Sequence, residues 1–423
     1  MKIYLISLGC DKNKVDSEKI LDFFIRKFNA KITYEIEKAD VCFINSCAFI
    51  SDAKKETIDV IKEIFEKKKK NAKVVLLGCL AKEYKINKNF THIDLDKYVD
   101  EIMPVDKYLS ELNELTNRIN DVRFFSKSIK ISDGCNKNCT YCIIPKLRGK
   151  FTSNTFGNIY MEAINLAKSG AVELNIVGQD VLNYGVDIYK KNKIVDLLNL
   201  LSEIKGIKWI RLLYCYPEEI TDDLINLIKN NKKILHYIDM PIQHIDNDIL
   251  KSMNRATNEI NIREKIKKLR SEINDIIIRT TFMVGFPNET DTKFNKLLDF
   301  ISDMKFDKVG CFKYSREVLS DSYYFENQID EETKEFRKKQ LLDLQKEIVI
   351  TKNKTKINKV YDVLIEGYDT KNKSYIGRNY ENAYDIDDLI YIKTKRNLLS
   401  GSIEKIKIVD FKDYDLIGEI YEN

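Results

Sequence analysis

Three cysteines of the segment Gly134–Cys142 (GCNKNCTYC) have the spacing CxxxCxxC, which can bring three thiolates around one compact loop: Cys135, Cys139 and Cys142. Iron–sulfur clusters are held by cysteine thiolates, usually four. Because no fourth cysteine is nearby, one iron would stay open to a ligand from outside the chain. A zinc knuckle or a chance spacing is the alternative. Zinc is a minor alternative to an iron–sulfur cluster, because no histidine or fourth thiol lies near enough in the sequence to complete a tetrahedral zinc site.

An open iron of such a cluster can be chelated by the amino and carboxylate groups of S-adenosylmethionine. An electron from the reduced cluster can then split the sulfonium and release a 5′-deoxyadenosyl radical, which abstracts hydrogen from an unactivated carbon. No side-chain acid or base could do this, so the cofactor performs the difficult step while the protein orients it and excludes water. The loop therefore predicts S-adenosylmethionine as a cofactor.

A second set of three cysteines lies in the first eighty residues: Cys10, Cys47 and Cys79. Each stands in a Gly-Cys or Ser-Cys pair directly after an apolar strand, where open α/β sheets gather their ligands. Adjacent parallel strands are about 5 Å apart, so the three thiols can converge on one edge of the sheet and hold a second cluster with an open iron. The alternative is three unrelated buried cysteines. Three other cysteines are interpreted as structural: Cys42, Cys215 and Cys311.

The elements that must position these cysteines alternate between strand and helix, which predicts an α/β protein. The first part is expected to be a doubly wound parallel sheet with strands at Lys2–Ser7, Val41–Asn45 and Lys73–Leu77. From about residue 127, six strands separated by helices predict a partial (βα)6 barrel, because a closed barrel needs eight units. These strands are expected at Ser128–Ser132, Glu173–Val177, Trp209–Leu213, Leu235–Asp239, Ile276–Met283 and Lys308–Lys313.

The pattern changes after a charged helix predicted at Glu331–Lys356. Four short strands predict a small all-β barrel or sandwich: Val360–Ile365, Leu389–Ile392, Glu404–Val409 and Leu416–Ile420. We therefore expect three domains with the boundaries 1–120, 121–356 and 357–423.

Length and composition agree with several folded domains. The chain has 423 residues, of which 43% are hydrophobic and 32% charged, and this excludes disorder. The longest apolar run, about Val74–Ala81, is far shorter than the roughly 20 residues of a membrane span, so a cytoplasmic protein with no membrane partner is expected. Nine cysteines in a reducing compartment indicate metal binding or catalysis. The net charge is +5, and residues 351–423 hold 13 basic and 13 acidic residues. A domain that binds tRNA should be basic, since phosphate contacts dominate such binding.

The cysteine loop, with an aromatic residue before its third cysteine, resembles the radical SAM superfamily. Longer segments resemble the methylthiotransferases from end to end, including a C-terminal TRAM-like domain, and favour their RimO branch over the branch that modifies tRNA. The segments are SLGCDKNKVDSE, INSCAFISDAKKE, LLGC, SDGCNKNCTYCIIPKLRG, YIDMPIQH and RTTFMVGFPNET. One departure is Tyr384, where relatives usually have proline, and it concerns the conformation of a loop.

This resemblance implies a specific reaction. Enzymes of this branch insert a methylthio group at the β-carbon of one aspartate in the small-subunit ribosomal protein S-twelve, with one S-adenosylmethionine as methyl donor and another as radical source. It implies two 4Fe–4S clusters: a radical cluster on the CxxxCxxC cysteines and an auxiliary cluster on Cys10, Cys47 and Cys79. It also implies an electron donor such as flavodoxin or ferredoxin, while tRNA is not expected as a partner.

Four residues are candidate contacts for S-adenosylmethionine, each with an ordinary structural alternative. Tyr141 is expected to face the adenine, although it could pack on its own loop. Gln179 and Asp180 follow the second barrel strand, where a plain turn is also possible. Gly285 follows the fifth strand and would shape the adenosine pocket or form a simple turn. His244 is interpreted as a hydrogen-bonded structural histidine. No catalytic residue is assigned.

Two other functions remain open at this point. One is a methylthiotransferase that acts on an adenosine of tRNA. The other is a non-enzymatic iron–sulfur or zinc protein whose β-domain binds RNA. The second predicts that loss of a loop cysteine affects only folding or binding, whereas both enzymes predict loss of S-adenosylmethionine cleavage with the fold retained.

Overall fold

The computed structural model describes residues 1–88, 93–119, 121 and 124–422. The N-terminal part is a parallel sheet of five strands in the order β2-β1-β3-β4-β5. Helices cover both faces, because one apolar core includes Ile44 and Ile61 and another, on the opposite face, includes Phe43 and Ile20. The strands are β1 (Lys2–Ser7), β2 (Lys31–Ile32), β3 (Val41–Ser46), β4 (Lys73–Leu77) and β5 (Glu101–Pro104). The helices are α1 (Asp11–Phe28), α2 (Ser51–Lys67), α3 (Gly78–Ile86) and α4 (Leu109–Glu114).

The central part is a partial barrel of six parallel strands in the order β13-β12-β11-β10-β9-β6. Its strands are β6 (Ser126–Lys130), β9 (Glu173–Val177), β10 (Trp209–Leu212), β11 (Ile234–Asp239), β12 (Ile277–Val284) and β13 (Lys308–Lys313). A small antiparallel pair, β7 (Ser132–Asp133) and β8 (Thr152–Ser153), flanks the cysteine loop. The helices are α5 (Ile144–Arg148), α6 (Phe156–Lys168), α7 (Val186–Tyr189), α8 (Ile194–Ser202), α9 (Asp222–Asn230), α10 (Asn247–Ser252), α11 (Glu259–Glu272) and α12 (Asp291–Met304).

A long helix, α13 (Glu331–Lys354), leads to a closed barrel of five strands in the order β14-β15-β16-β18-β17. The strands are β14 (Val360–Asp369), β15 (Ser374–Arg378), β16 (Ile390–Ile392), β17 (Ile403–Lys412) and β18 (Asp415–Ile420). Side chains such as Val363, Ile390 and Ile406 fill it. No helix among the described residues is long and apolar enough to span a membrane.

The predicted fold class is confirmed: a parallel α/β sheet, a partial barrel of six strands and a small β-barrel. Five strands were missed, namely β2, β5, β15 and the two-residue strands β7 and β8. The first two have only 2 and 4 residues, too few to show an alternating pattern. Strand β15 (SYIGR) contains a glycine, which weakens a strand signal. A Cβ at Gly377 would lie 2.7 Å from the Leu364 carbonyl oxygen, so close strand packing explains that glycine.

The C-terminal barrel packs against the lining of the partial barrel. Leu364 and Ala383 share an apolar cluster with Trp209 and Tyr237 of the barrel strands. Successive side chains of a strand point to opposite faces of the sheet. In the partial barrel one face packs against the surrounding helices, and the other face, which carries many charged side chains, lies at this interface. The buried Glu173 of β9 accepts hydrogen bonds from Arg211 (2.8 Å) and Arg378 (2.7 Å).

Candidate active site

The three N-terminal cysteines stand at the carboxyl ends of three neighbouring strands. Cys10 precedes α1, Cys47 follows β3, and Cys79 lies in the first turn of α3 directly after β4. Strands β1, β3 and β4 are paired in register, and a bridge between Ser46 and Gly78 extends the pairing to the residues beside Cys47 and Cys79. The structure thus brings the three predicted ligands to one edge of the sheet.

Polar side chains tie these three strand ends together. The Asn13 amide donates hydrogen bonds to the carbonyl oxygens of Leu8 (2.9 Å) and Ser46 (3.0 Å). The Ser46 hydroxyl donates to the carbonyl oxygen of Leu77 and accepts from the Leu80 amide (3.1 Å). Contacts within the chain therefore hold all three loops in place, which reduces the entropy cost of binding a metal centre.

Glycines allow the close approach of these loops. Gly9 has φ +86°, and a Cβ there would lie 2.7 Å from the Cβ of Cys47 and 2.9 Å from its sulfur. Gly78 has φ +88°, and a Cβ there would lie 2.6 Å from the Ser46 carbonyl oxygen. A side chain at either position would be strained and would push the cysteine loops apart.

The electrostatics of the trio favour a metal centre. Burial raises the pKa of Cys47 to about 12, and the neighbouring Cys10 and Cys79 add to the rise. Burial also raises the pKa of Cys79, against the opposing effect of Arg148. Cys47 and Cys79, whose pKa values burial raises, become thiolates when iron is bound, because metal binding displaces the protons of its ligands.

The CxxxCxxC loop lies between β7 and β8, beyond the carboxyl end of the first barrel strand. Cys135 and Cys139 are buried and Cys142 is partly buried. The Lys137 amide points at the Cys135 sulfur (3.3 Å), and a guanidinium nitrogen of Arg255 lies 4.0 Å from the Cys139 sulfur. Burial raises the pKa of Cys142 to about 12, and Cys139 and Cys135 contribute to the rise. These three cysteines are also brought together.

Neither set has the geometry of a single-ion site. Among the described residues, no three His, Cys, Asp or Glu side chains are close enough to hold one metal ion. The sulfurs around a cubane bind different iron atoms and stand further apart than the ligands of one zinc. Two sets made only of thiols, three in each, therefore fit iron–sulfur clusters better than zinc.

Polar atoms without partners surround the CxxxCxxC loop. The Gln179 amide nitrogen and oxygen and one oxygen of Asp180 are buried with no hydrogen bond. The charge of Asp180 also contributes to the raised pKa of Cys135, so it lies beside the loop. Buried polar groups normally have partners. These atoms can accept and donate hydrogen bonds to the amino group and hydroxyls of S-adenosylmethionine, so the residues present fit that cofactor.

Sequence reasoning missed a carboxylate that belongs to the same cluster. Glu219 is paired with Lys137, accepts a hydrogen bond from Asn183 (2.5 Å), and has one oxygen without a partner. Burial, together with Asp180, raises its pKa to about 7. The segment Tyr216–Glu219 follows β10, so the rule that selected Gln179 after β9 could have found it.

The two other candidate contacts stand on the same side of the barrel. Tyr141 packs at the edge of an apolar cluster that includes Met283 and Phe286. Gly285, at the end of β12, has φ +75°, and its amide donates to Glu289 (2.6 Å). The Lys334 side chain covers Gly285, leaving no room for a Cβ.

His244 is fully buried and held at both ring nitrogens. The amide of Asp246 donates to Nδ1 (3.0 Å), so Nε2 carries the proton and donates to Glu289 (3.2 Å). This arrangement agrees with the structural role predicted for this histidine.

A buried ionic network joins the two cysteine sets. Arg148, from the helix after the CxxxCxxC loop, donates two hydrogen bonds of 2.9 Å to Asp133 and contacts Asn13 (2.6 Å) and Asp16 (3.1 Å) of α1. Lys130 of β6 pairs with the same two aspartates. The charge of Arg148 also opposes the burial that raises the pKa of Cys79, so its guanidinium lies near that thiol. One arginine that follows the CxxxCxxC loop therefore reaches the N-terminal cysteines.

Family models match three successive parts of the chain. The radical SAM superfamily matches residues 129–301, the uncharacterized protein family UPF0004 matches 2–99, and the TRAM domain matches 357–420. A relative from Clostridium botulinum (strain Eklund 17B / Type B), named ribosomal protein uS12 methylthiotransferase RimO, is 45% identical over 99% of this chain and 98% of its own. The chain belongs to the RimO family of radical SAM methylthiotransferases. A relative of the same name from Clostridium novyi (strain NT) is 42% identical over 99% and 98%.

As a member of this family, the chain is a transferase of the radical SAM superfamily. A solved structure of the radical S-adenosylmethionine methyltransferase TsrM from Kitasatospora setae, with cobalamin and a 4Fe–4S cluster bound, is similar in fold. The TM-score is 0.53 over 74% of each chain, at 12% identity. At that identity the likeness concerns the fold alone.

The N-terminal domain of this RimO-family chain meets the barrel at the carboxyl ends of the barrel strands. The buried ammonium of Lys12, two residues after Cys10, lies 3.6 Å from the ring centre of Tyr214, which follows β10. At the other side, Lys54 of α2 pairs with Glu317, beyond the end of β13. The edge that holds Cys10 therefore faces the mouth of the barrel.

Proposed function

We propose that this chain inserts a methylthio group at the β-carbon of an aspartate of ribosomal protein uS12. The proposal rests on one observation above all: two sets of three cysteines, in two domains, are linked by Arg148, which reaches from the loop of one set to Cys79 of the other. The relatives named ribosomal protein uS12 methylthiotransferase match the chain over nearly its full length, which supports uS12 as the substrate.

Each set of cysteines would hold one 4Fe–4S cluster. Cys135, Cys139 and Cys142 would hold the cluster that cleaves S-adenosylmethionine, and the remaining set, Cys10, Cys47 and Cys79, would hold an auxiliary cluster. When bound, these groups supply a radical that removes hydrogen from the substrate carbon and a site for the sulfur that replaces it, with one S-adenosylmethionine as radical source and a second as methyl donor.

The chain's own residues bind and orient the cofactor. Gln179 and Asp180 offer buried atoms that lack partners, and Tyr141 offers an aromatic face beside Met283. Glu219, with a pKa of about 7, can hold or release a proton near neutral pH beside the charge of Lys137. The burial of this region excludes water from a reactive radical.

The proposed domains have the boundaries 1–120, 121–356 and 357–423. The C-terminal barrel would bind the substrate protein. Residues 357–423 hold 10 basic and 13 acidic residues, and this small acidic excess suits a basic protein better than it suits tRNA phosphates. A flavodoxin or ferredoxin as electron donor stays a prediction from the family resemblance.

Reaction with purified substrates tests the proposal. The chain is loaded anaerobically with iron and sulfide, then given S-adenosylmethionine, a reductant, and either uS12 in small ribosomal subunits or bulk tRNA. We expect intact-mass analysis to show the mass gain of one methylthio group on uS12, with tRNA nucleosides unchanged. Methylthiolated adenosine in tRNA and unmodified uS12 would contradict the assignment.

A further inference from the structure

One buried cation near the N-terminal cysteines has no acidic partner. Lys12 lies in the first turn of α1 with only 6% of its surface exposed. Within the described ranges, no carboxylate forms an ion pair with it, and its ammonium lies over the Tyr214 ring, 3.6 Å from the ring centre. Lysine is rarely buried without a charged partner, because removing an ammonium from water is costly.

The charges around this lysine do not balance. Three buried cations lie near Cys10, Cys47 and Cys79, namely Lys12, Lys130 and Arg148, and two buried carboxylates, Asp16 and Asp133, neutralise the latter two. The charge of Asp11 reaches Tyr214, but among the described residues Asp11 forms no ion pair with the adjacent Lys12, because neighbouring residues of a helix do not face each other. Asp239 pairs with Arg279 instead (3.2 Å). Among the described side chains, with the three thiols neutral, one positive charge is left over at the barrel mouth.

The aromatic partner of Lys12 is held in a strained conformation. Tyr214 has φ +60°, which is unfavourable for a bulky residue. Its backbone amide is fixed by Asp239 (3.0 Å), which also binds Arg279 of the next strand. Such strain persists where the surroundings impose it, and it is typical of active sites and ligand clamps. Tyr214 thus forms a fixed wall beside the ammonium.

We propose that Lys12 binds the side-chain carboxylate of the substrate aspartate and so determines specificity for an acidic residue. The inference rests on the proposed function. The β-carbon is joined to the carboxylate carbon by one bond of about 1.5 Å, so a group that holds the carboxylate also fixes the carbon that reacts. Lys12 is two residues from Cys10, which places that carbon beside the proposed auxiliary cluster. An adenosine of tRNA carries no carboxylate and gains nothing from this lysine.

A double-mutant cycle between enzyme and substrate tests this role. The enzyme variants are Lys12→Met, which keeps length but removes charge, and Lys12→Arg, which keeps charge. The substrates are uS12 and uS12 with the target aspartate changed to asparagine. Dissociation constants are measured by titration with the cluster-loaded full chain. We expect Lys12→Met to weaken binding of uS12 about tenfold or more, to have little effect on the asparagine substrate, and to be partly rescued by Lys12→Arg.

Lys14→Met is the matched control. Lys14 lies on the same helix but is exposed, 5.7 Å from the Tyr384 ring, so its loss removes the same charge without the same contact. We expect unchanged binding. Iron content and the electron paramagnetic resonance spectrum of Lys12→Met are recorded in parallel, because a lysine that serves only as counterion of a cluster would change these and not the substrate preference.

Three outcomes would overturn the proposal: equal weakening for both substrates, no weakening, or a lost cluster signal with unchanged discrimination between aspartate and asparagine. Failure of the proposed function is distinguishable, because the wild-type chain would then leave uS12 unmodified. If only the role of Lys12 is wrong, the wild-type chain modifies uS12, but Lys12→Met discriminates between the aspartate and asparagine substrates as the wild-type chain does.

Discussion

Replacing Glu173 by glutamine removes the charge that joins the C-terminal barrel to the partial barrel. Glu173 is fully buried between Arg211 (2.8 Å) and Arg378 (2.7 Å). The variant keeps the shape of the side chain but leaves Arg211 without an anionic partner, whereas Arg378 retains Glu366. Removal of one partner of a buried ion pair is strongly destabilising because it leaves an uncompensated charge.

The pKa of Glu173 gives the size of this stabilisation and the direction in which it changes with pH. Burial alone would raise that pKa, but Arg378 and Arg211 outweigh burial and lower it from 4.5 to about 2. At roughly 1.4 kcal/mol per pKa unit, this difference is worth about 3 kcal/mol. Because the pKa is lower in the folded state, the stabilisation is complete above the unfolded value of 4.5 and is lost as the pH falls toward about 2.

Urea denaturation at about pH 7 and about pH 3 measures this contribution. We expect Glu173→Gln to lower the free energy of unfolding at neutral pH by about 3 kcal/mol and to reduce its decline in acid. Glu63→Gln is the control, because Glu63 forms only an exposed pair with Lys67 and its loss should have no measurable effect. A change for Glu173→Gln of less than about 0.5 kcal/mol, the scatter of ordinary surface substitutions, would refute the reasoning.

Three further substitutions test the site. Gly9→Ala should reduce the iron bound by the N-terminal cysteines, because the added Cβ would collide with Cys47. The far-ultraviolet circular dichroism should be retained. Unchanged iron content would argue against the tight contact between the two loops. Arg148→Met should destabilise the apo chain by about 3–5 kcal/mol in urea, because Asp133 then keeps one cation instead of two. Burial raises the pKa of Glu219 from 4.5 to about 7, so the fold favours the neutral form and the wild-type chain should lose thermal stability as the pH rises through this range. Glu219→Gln should abolish this loss. The same dependence of melting temperature on pH in both proteins would contradict this.

Local patterns predicted the elements that carry the site. Strands β1, β4, β9 and β13 begin and end where their apolar patterns do. Helix α1 starts at Asp11, four residues before Val15, the first apolar residue of its helical pattern, and the polar residues of its first turn are largely buried. A polar residue gives no periodic signal, although Asn13 and Asp16 are among the most buried side chains of the chain.

The sequence could predict those residues of the candidate site that lie in a spaced motif or directly after a strand. Cysteine spacing and the carboxyl-end rule selected the six proposed ligands together with Gln179 and Asp180, and their roles stay predictions. The contacts of Arg148 with Asp133 and with Asn13 span 15 and 135 residues of sequence, and that of Lys12 with Tyr214 joins two domains. Such pairs depend on how domains pack, which no local pattern contains, so the cations around the N-terminal cysteines could not be found from the sequence.

Counting iron tests most directly whether each of the two sets of three cysteines holds a 4Fe–4S cluster. The full chain and a variant with Cys10, Cys47 and Cys79 all changed to alanine are reconstituted anaerobically, and iron and sulfide are counted per chain. We predict about eight irons for the full chain and about four for the variant. About four irons in the wild-type chain, or equal iron in both proteins, would contradict the assignment of the N-terminal cysteines as cluster ligands.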